Sequence, residues 1–388
     1  MSSNSHVEVK SGLEGVVAAA TRLSGVDGEA GELIIGGYPL EEFAGRATFE
    51  ETIHLLWYGS LPNQSALQQL KTTLAAHRDL PAATQQLLQL AAQRDVPAMD
   101  AVRMGIDTLS LVQSETPDVD QRTQALALIA RIPTIIATFA RVRSEQPLID
   151  ADPALGESAN YLYMLTGTRP DEEHVRALDT YLNTVVDHGL NASTFTARVI
   201  ASTASDIISA LVGAVGALKG PLHGGAPGPA LDMVFEIGTA ERAEPYIRAK
   251  LERGERLMGF GHRIYKVRDP RADVLAAAAA RLFEYGSADV ALYDLVRQVE
   301  QTALGLLDEY KPGRRLQTNV EFYTALLLHA IGLDSDLFTP TFAMSRAVGW
   351  IAHYFEQQET GRIIRPQSSY VGEQCRIWEP LAERRITG

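Results

Sequence analysis

Three histidines in this chain stand at segment ends beside glycine. His188 lies in Val-Asp-His-Gly-Leu-Asn, His223 in Gly-Pro-Leu-His-Gly-Gly and His262 in Gly-Phe-Gly-His-Arg. Imidazoles titrate near neutrality, and glycine lets a backbone come close to a ligand. Glu321 opens an apolar stretch in Thr-Asn-Val-Glu-Phe-Tyr, and Arg271, Arg346 and Arg365 supply fixed cations. Acid-base groups of neutral range, one carboxylate and several guanidinium groups suit proton transfer on a polyanionic substrate.

Each residue also has an ordinary alternative. His223 and His262 could be polar loop residues bonded to a carbonyl. The run Lys266-Val-Arg-Asp-Pro-Arg271 reads alone as a solvated basic turn, although Asp269 can cap and Pro270 can open the next helix, placing Arg271 at an anion-favouring N-terminus. Glu321 is a common type of first-turn acid, capped by Asn319, and the helix dipole favours its ionised form. Arg346 lies within Phe-Ala-Met-Ser-Arg-Ala-Val-Gly-Trp, where a charge must be paired or bind an anion. His353, two turns on, reads as a core-packed histidine. Other chemistries find no motif: there is no His-Glu-x-x-His, no Cys pair, no Gly-x-Ser-x-Gly and no Walker sequence.

The elements that must position these groups are helices. Apolar residues recur at three- and four-residue spacing through most of the 388 residues. Thr48 to Glu51 forms a capping box. Pro170-Asp-Glu-Glu starts a helix ending at His188-Gly189. Asp206 to Leu218, apolar nearly all round, predicts a fully buried helix, and the helix after His223 begins at Pro229. Thr339-Pro340 starts one reaching about Gln357. Strand signals are confined to Leu33-Ile-Ile-Gly-Gly-Tyr38, so the expected class is all-α with at most a short N-terminal β element. The Gly/Pro-rich stretch from Gly220 to Pro229 and the loop from Gly332 to Pro340 are the candidate joints of a smaller inserted domain.

Length predicts two or three domains, and the core can form without disulfides. The single cysteine, Cys375, excludes an internal disulfide and a four-Cys zinc site, and no metal is expected. A net charge of −13 argues against nucleic acid. Met1 to Gly12 reads as a frayed polar tail and not as a leader. No apolar run reaches membrane-spanning length, the nearest being Ala125 to Phe139 with Arg131 and Pro133 inside it. No membrane association and a cytoplasmic location are expected.

In this order and spacing, the segments Gly220-Pro-Leu-His-Gly-Gly, Gly259-Phe-Gly-His-Arg-Ile-Tyr-Lys and Asp269-Pro-Arg resemble the citrate synthase family. Leu33-Ile-Ile-Gly-Gly-Tyr-Pro-Leu-Glu-Glu-Phe and Phe49-Glu-Glu-Thr-Ile-His-Leu-Leu-Trp-Tyr-Gly add to the likeness, which runs from about Gly12 to about Pro380. The resemblance implies a helical homodimer with a large domain formed by residues 1–222 and 333–388 and a small domain of residues 223–332. It implies condensation of acetyl-CoA with oxaloacetate and hydrolysis of the thioester, with no metal and no tightly bound cofactor. His223 would bond the acetyl carbonyl, Glu321 would take the methyl proton and His262 would protonate the oxaloacetate ketone. His188, Arg271 and Arg346 would hold oxaloacetate carboxylates, with Arg365 reaching in from the partner subunit. The backbone from Leu257 through Met258, Gly259 and Phe260 to Gly261 would line the CoA adenine, and Lys266, Lys311 and Arg314 would meet its phosphates. The family's usual carboxylate at position 321 is Asp, so Glu321 lengthens the arm by a methylene. The close rival is 2-methylcitrate synthase, using propionyl-CoA; a third reading is an altered relative kept for binding or assembly.

Overall fold

A computed structural model describes residues 10–113, 119–224, 227–286 and 290–383. The N-terminal tail expected up to Gly12 therefore falls mostly outside the described residues. Helices make up most of the fold. The expected β element is a three-stranded antiparallel meander: β1 (Ser24–Asp27), β2 (Glu32–Ile35) and β3 (Tyr38–Pro39). Its register pairs Ser24 with Ile35 and Asp27 with Glu32. Leu33 and Ile35 point inward and are buried, which fixes the register, because a one-residue slip would turn both outward.

The capping box forms as its sequence predicts, with Thr48 and Glu51 exchanging side-chain and backbone bonds ahead of helix Phe49–Tyr58. Six further helices position the chemistry: α1 (Glu172–Val185), α2 (Ala192–Ala201), α3 (Ile207–Leu218), α4 (Pro270–Glu284), α5 (Val320–Ala330) and α6 (Phe338–Thr360). The central one is α6, which packs against α1, α2 and α3. Its Gly349 has a steric reason: a Cβ there would lie 2.2 Å from the Val186 carbonyl oxygen. Only hydrogen lets α6 approach the end of α1 that closely.

Several boundaries differ from the sequence reading. The cap of α1 is Asp171, whose side chain accepts from His174 N–H, so Pro170 stands outside the helix. The helix stops at Val185, and residues 186–189 form a short strap carrying His188. The helix after His223 begins at Pro227, not Pro229, and α6 begins at Phe338 and runs on to Thr360. Within this chain α3 is not fully buried, since Ser209, Val212, Gly213 and Ala217 are half-buried and Gly216 is exposed. Helix Gln121–Arg143 is long and apolar enough to cross a membrane by length and composition, contrary to the sequence reading, but 67% of its apolar window is buried inside the fold. Core packing accounts for its composition.

Candidate active site

Two helix N-termini converge on Asp269. The residue caps α4, accepting from the Arg271 backbone N–H, and its Oδ2 also accepts from Val320 N–H at the start of α5. Arg271 stands in the first turn of α4 as expected. It is buried, not solvated, and its Nε and Nη2 donate to Asp269 at 3.0 and 2.8 Å. Burial opposes the charge of Arg271, but Asp269 outweighs it and raises its pKa. The preceding turn is likewise paired: Arg268 bonds Asp273 and Glu300.

Loop 257–261 is tied to the start of α5. Gly261 N–H donates to the Gln317 carbonyl at 2.7 Å, and Asn319 N–H donates to the Gly259 carbonyl at 3.0 Å. Gly259 and Gly261 take φ of +86° and +81°, and a Cβ at Gly259 would meet Phe322 at 2.8 Å. These requirements explain the Gly-x-Gly pair before His262.

The tautomer of His262 follows from its surroundings. Its Nδ1 accepts from the backbone N–H groups of Ile264 and Tyr265 at 3.1 and 3.2 Å. Backbone amides can only donate, and two of them face Nδ1 against the single Arg271 Nη2 at Nε2, so the ring proton is assigned to Nε2. Arg271 Nη2, also a donor, approaches the same Nε2 at 3.2 Å. Burial and then Arg271 push the His262 pKa down to about 4, so the ring is uncharged at neutral pH.

His223 is fixed in the opposite sense. Its Nε2 faces the Ser193 N–H at 3.3 Å and Ser193 Oγ at 2.8 Å, at the N-terminus of α2. The amide makes Nε2 an acceptor and leaves the proton on Nδ1. Trp350 Nε1 donates to the same Ser193 Oγ at 3.1 Å. Burial and then Arg346 lower the His223 pKa to about 4.

His188 is buried, with Nε2 3.1 Å from the Tyr265 hydroxyl and its ring 5.7 Å from that of His262. Burial, then Arg271, Arg346 and His262, hold its pKa well below the usual histidine value. Arg346 is also buried; its Nε donates to the Val185 carbonyl at 2.7 Å, and its guanidinium lies over Phe342. Among the described residues no carboxylate comes within ion-pair distance of it, and burial pushes its pKa down to about 10.

Asn319 caps α5 through the Glu321 N–H, as expected. The effect on Glu321 differs from the dipole argument. Burial pushes its pKa up to about 7, against the opposing pull of Arg271 and Arg346. Desolvation of a carboxylate outweighs the helix-end field here.

His188, His262, Tyr265 and Arg271 thus form one contact group. Glu321 joins it through Asn319 and Asp269, and His223 through the field of Arg346. Lys266 is exposed and weakly lowers the His262 pKa. Lys311 and Arg314 stand in the loop after helix Val290–Tyr310, half-buried and exposed respectively, and are not hydrogen-bonded to the group. Arg365 is exposed on the irregular chain beyond α6 and likewise is not hydrogen-bonded to it. A cavity of about 460 Å³ between α1 and α4, lined by Ala177, Thr180, Val274 and Ala277 among others, holds none of these catalytic candidates. Among the described residues no cluster of His, Cys, Asp or Glu could hold a metal ion.

Sequence reasoning missed Ser193, Tyr265 and the network around His353. Though buried as expected, His353 is not merely packed: Nε2 lies 3.2 Å from both Asp187 carboxylate oxygens and Nδ1 lies 3.0 Å from Arg198 Nη1. The guanidinium only donates, so the His353 proton sits on Nε2, toward Asp187. Burial works against the charge of Asp187, but His353, Ser24 and Arg346 hold its pKa below the usual aspartate value. The Asp-His pair at 187–188 was the one available signal.

The profile described as "Citrate synthase, C-terminal domain" matches residues 12–367. The chain is 41% identical to citrate synthase 2 of Bacillus subtilis, covering 96% of this chain and 98% of that protein. It is 39% identical to the citrate synthase of Haloferax volcanii, covering 97% and 99%, and 37% identical to the 2-methylcitrate synthase of Shewanella oneidensis, covering 96% and 97%. A solved ternary complex of carboxymethyl coenzyme A and oxaloacetate with the citrate synthase of Thermoplasma acidophilum superposes with a TM-score of 0.85 at 30% identity, covering 97% of this chain and all of that one. Full-length likeness in sequence and fold gives the assignment: the chain belongs to the citrate synthase family and is an acyltransferase of that type.

Proposed function

We propose that the protein condenses acetyl-CoA with oxaloacetate and water to give citrate and CoA. The observation that carries this reading is the opposed tautomers: His223 presents Nδ1–H and His262 presents Nε2–H, each on an uncharged ring. A thioester methyl is a very weak acid, so its removal needs a base and an oxyanion donor acting together. Glu321 takes the methyl proton while His223 Nδ1–H stabilises the enolate oxygen. The enolate carbon attacks the oxaloacetate ketone, whose oxygen receives the His262 Nε2 proton. Water then cleaves the citryl thioester and releases the CoA thiol.

Oxaloacetate carboxylates would be met by Arg271, Arg346 and His188, with the Tyr265 hydroxyl giving way at His188. Arg346 supports this most strongly, because a buried cation without an ion pair is costly unless an anion arrives. The backbone of Leu257 to Gly261 would take the CoA adenine, and Lys266, Lys311 and Arg314 its phosphates. Residues 223–332 would form the small domain whose closure dries the site. The exposed tail beyond α6, with Ile363, Tyr370 and Trp378 outward, fits an arm laid on a second subunit and carrying Arg365 into its site. A homodimer in the cytoplasm, serving the tricarboxylic acid cycle, completes the proposal.

The 37% identity to a 2-methylcitrate synthase favours a second reading with propionyl-CoA and the same residue roles. The test is CoA release with oxaloacetate, comparing both acyl-CoAs. A higher kcat/KM for acetyl-CoA supports citrate synthase, and a propionyl preference moves the assignment. Release with neither would remove both readings and leave a binding or assembly role.

A further inference from the structure

Strand β1 and the turn that follows it touch both loops that carry the proposed oxaloacetate histidines, Ser24 at one end and Gly28 at the other. We propose that β1 is a positioning element for the oxaloacetate half of the site: Ser24 sets the strap of His188, and Gly28 seats the loop of His262. The inference rests on the reading of the site given above.

At the first end, Ser24 Oγ donates to Asp187 Oδ2 at 2.6 Å and accepts the Gly189 N–H at 2.8 Å. A hydroxyl has one proton, so these roles are fixed. The two bonds bracket His188 in the chain, one on each neighbour. The bond to Asp187 joins Ser24 to His353 and Arg198 behind it. Just before the strand, Arg22 N–H donates to Glu356 Oε1 on α6 at 2.9 Å, which anchors its start.

At the other end, the Gly28 carbonyl accepts the Lys266 N–H at 2.9 Å. A Cβ at Gly28 would stand 2.3 Å from the Ile264 carbonyl oxygen, a backbone atom that cannot swing aside. Ile264 and Tyr265 supply the amides that fix the His262 tautomer. Any displacement of this backbone therefore loosens the His262 imidazole. The turn is held by its own hydrogen bonds: Asp27 Oδ1 accepts from Glu29 and Ala30 N–H, and Gly31 N–H closes on the Asp27 carbonyl. Pairing with β2, whose Leu33 and Ile35 are buried, prevents β1 from sliding. One strand thus fixes the separation of two side chains that must grip the same small molecule.

The test compares Ser24→Ala, Ser24→Thr and Gly28→Ala with the wild-type full chain. Initial rates are measured with oxaloacetate and acyl-CoA varied separately, alongside oxaloacetate-induced thermal stabilisation. Ser24→Ala should raise KM for oxaloacetate about tenfold and leave KM for acyl-CoA within about twofold, and Ser24→Thr should recover most of the loss. Gly28→Ala should lower kcat by about tenfold or more through His262. A Ser24→Ala enzyme with unchanged KM for oxaloacetate, or with both KM values raised equally, overturns the proposal. So does a Gly28→Ala enzyme with wild-type kcat, which decides the matter if Ser24→Ala does not fold. A wild-type chain that neither releases CoA nor is stabilised by oxaloacetate removes the functional reading, and this inference with it.

Discussion

Asn319 holds Gly261 by a 2.8 Å bond from Nδ2 to the glycine carbonyl, while its Oδ1 accepts the Glu321 N–H at 3.0 Å. One side-chain amide therefore joins the loop before His262 to the helix turn bearing Glu321. Asn319→Ala should cost about 1 kcal/mol as a lost helix cap. It should lower kcat by about tenfold or more, because base and acid lose their common fixture. Thermal melts and steady-state rates check the two effects; a stability loss with kcat intact would reduce Asn319 to a cap.

The position of Glu321 governs the pH dependence. Its pKa near 7 means that the ionised base is half-populated there. With Glu321 as the proposed base the reaction needs its ionised form, so kcat/KM should rise with pH through about 7 and then level. Glu321→Gln should cost roughly a hundredfold to ten-thousandfold in kcat. Glu321→Asp, which shortens the arm, should also lose rate, by about tenfold or more. A gain of rate on Glu321→Asp would mean that the longer arm is a defect and not a fitted base.

Arg346 separates binding from stability. Arg346→Met removes a buried cation that has no ion-pair partner among the described residues, at the cost of one bond to the Val185 carbonyl. The free protein should stay as stable or gain about 1 kcal/mol. On the proposed role of Arg346, KM for oxaloacetate should rise about a hundredfold or more, since the anion would lose a buried charge-assisted partner. Melting curves with and without oxaloacetate test both halves.

A second buried group titrates outside the site. Asp179 accepts from Phe49 N–H and the Ser158 hydroxyl, and burial, with Glu50 nearby, pushes its pKa up to about 7. The unfolded value is about 3.9. The protonated form thus contributes stability that is complete below the unfolded pKa and is lost as pH rises through 7. Asp179→Asn keeps both acceptor bonds without the ionisation cost. Its melting temperature relative to wild type should therefore increase from pH 5 to pH 8, by about 1–3 °C. A constant difference across that range would show that Asp179 does not titrate there.

Short-range chemistry was legible in the chain. The caps at Thr48, Asp269 and Asn319 form as their spacing requires, because capping is settled within four residues. The helical class followed from periodicity, and the small sheet from one apolar run. The segments around His223, His262 and Arg271 carried the family likeness by themselves. What a helix meets at its end was not legible: α1 stops at Val185, just where Gly349 of α6 comes against the Val186 carbonyl, a contact across more than 160 residues. The tautomers of His223 and His262 depend on which amides face them, and a histidine in a sequence names neither. The Glu321 case is the sharpest: the local dipole argument favoured ionisation, and burial by distant segments outweighed it. Caps and helical class depend on neighbours along the chain and so can be read from it. Protonation, tautomer and pairing depend on desolvation and hydrogen-bond direction, which are set by neighbours in space.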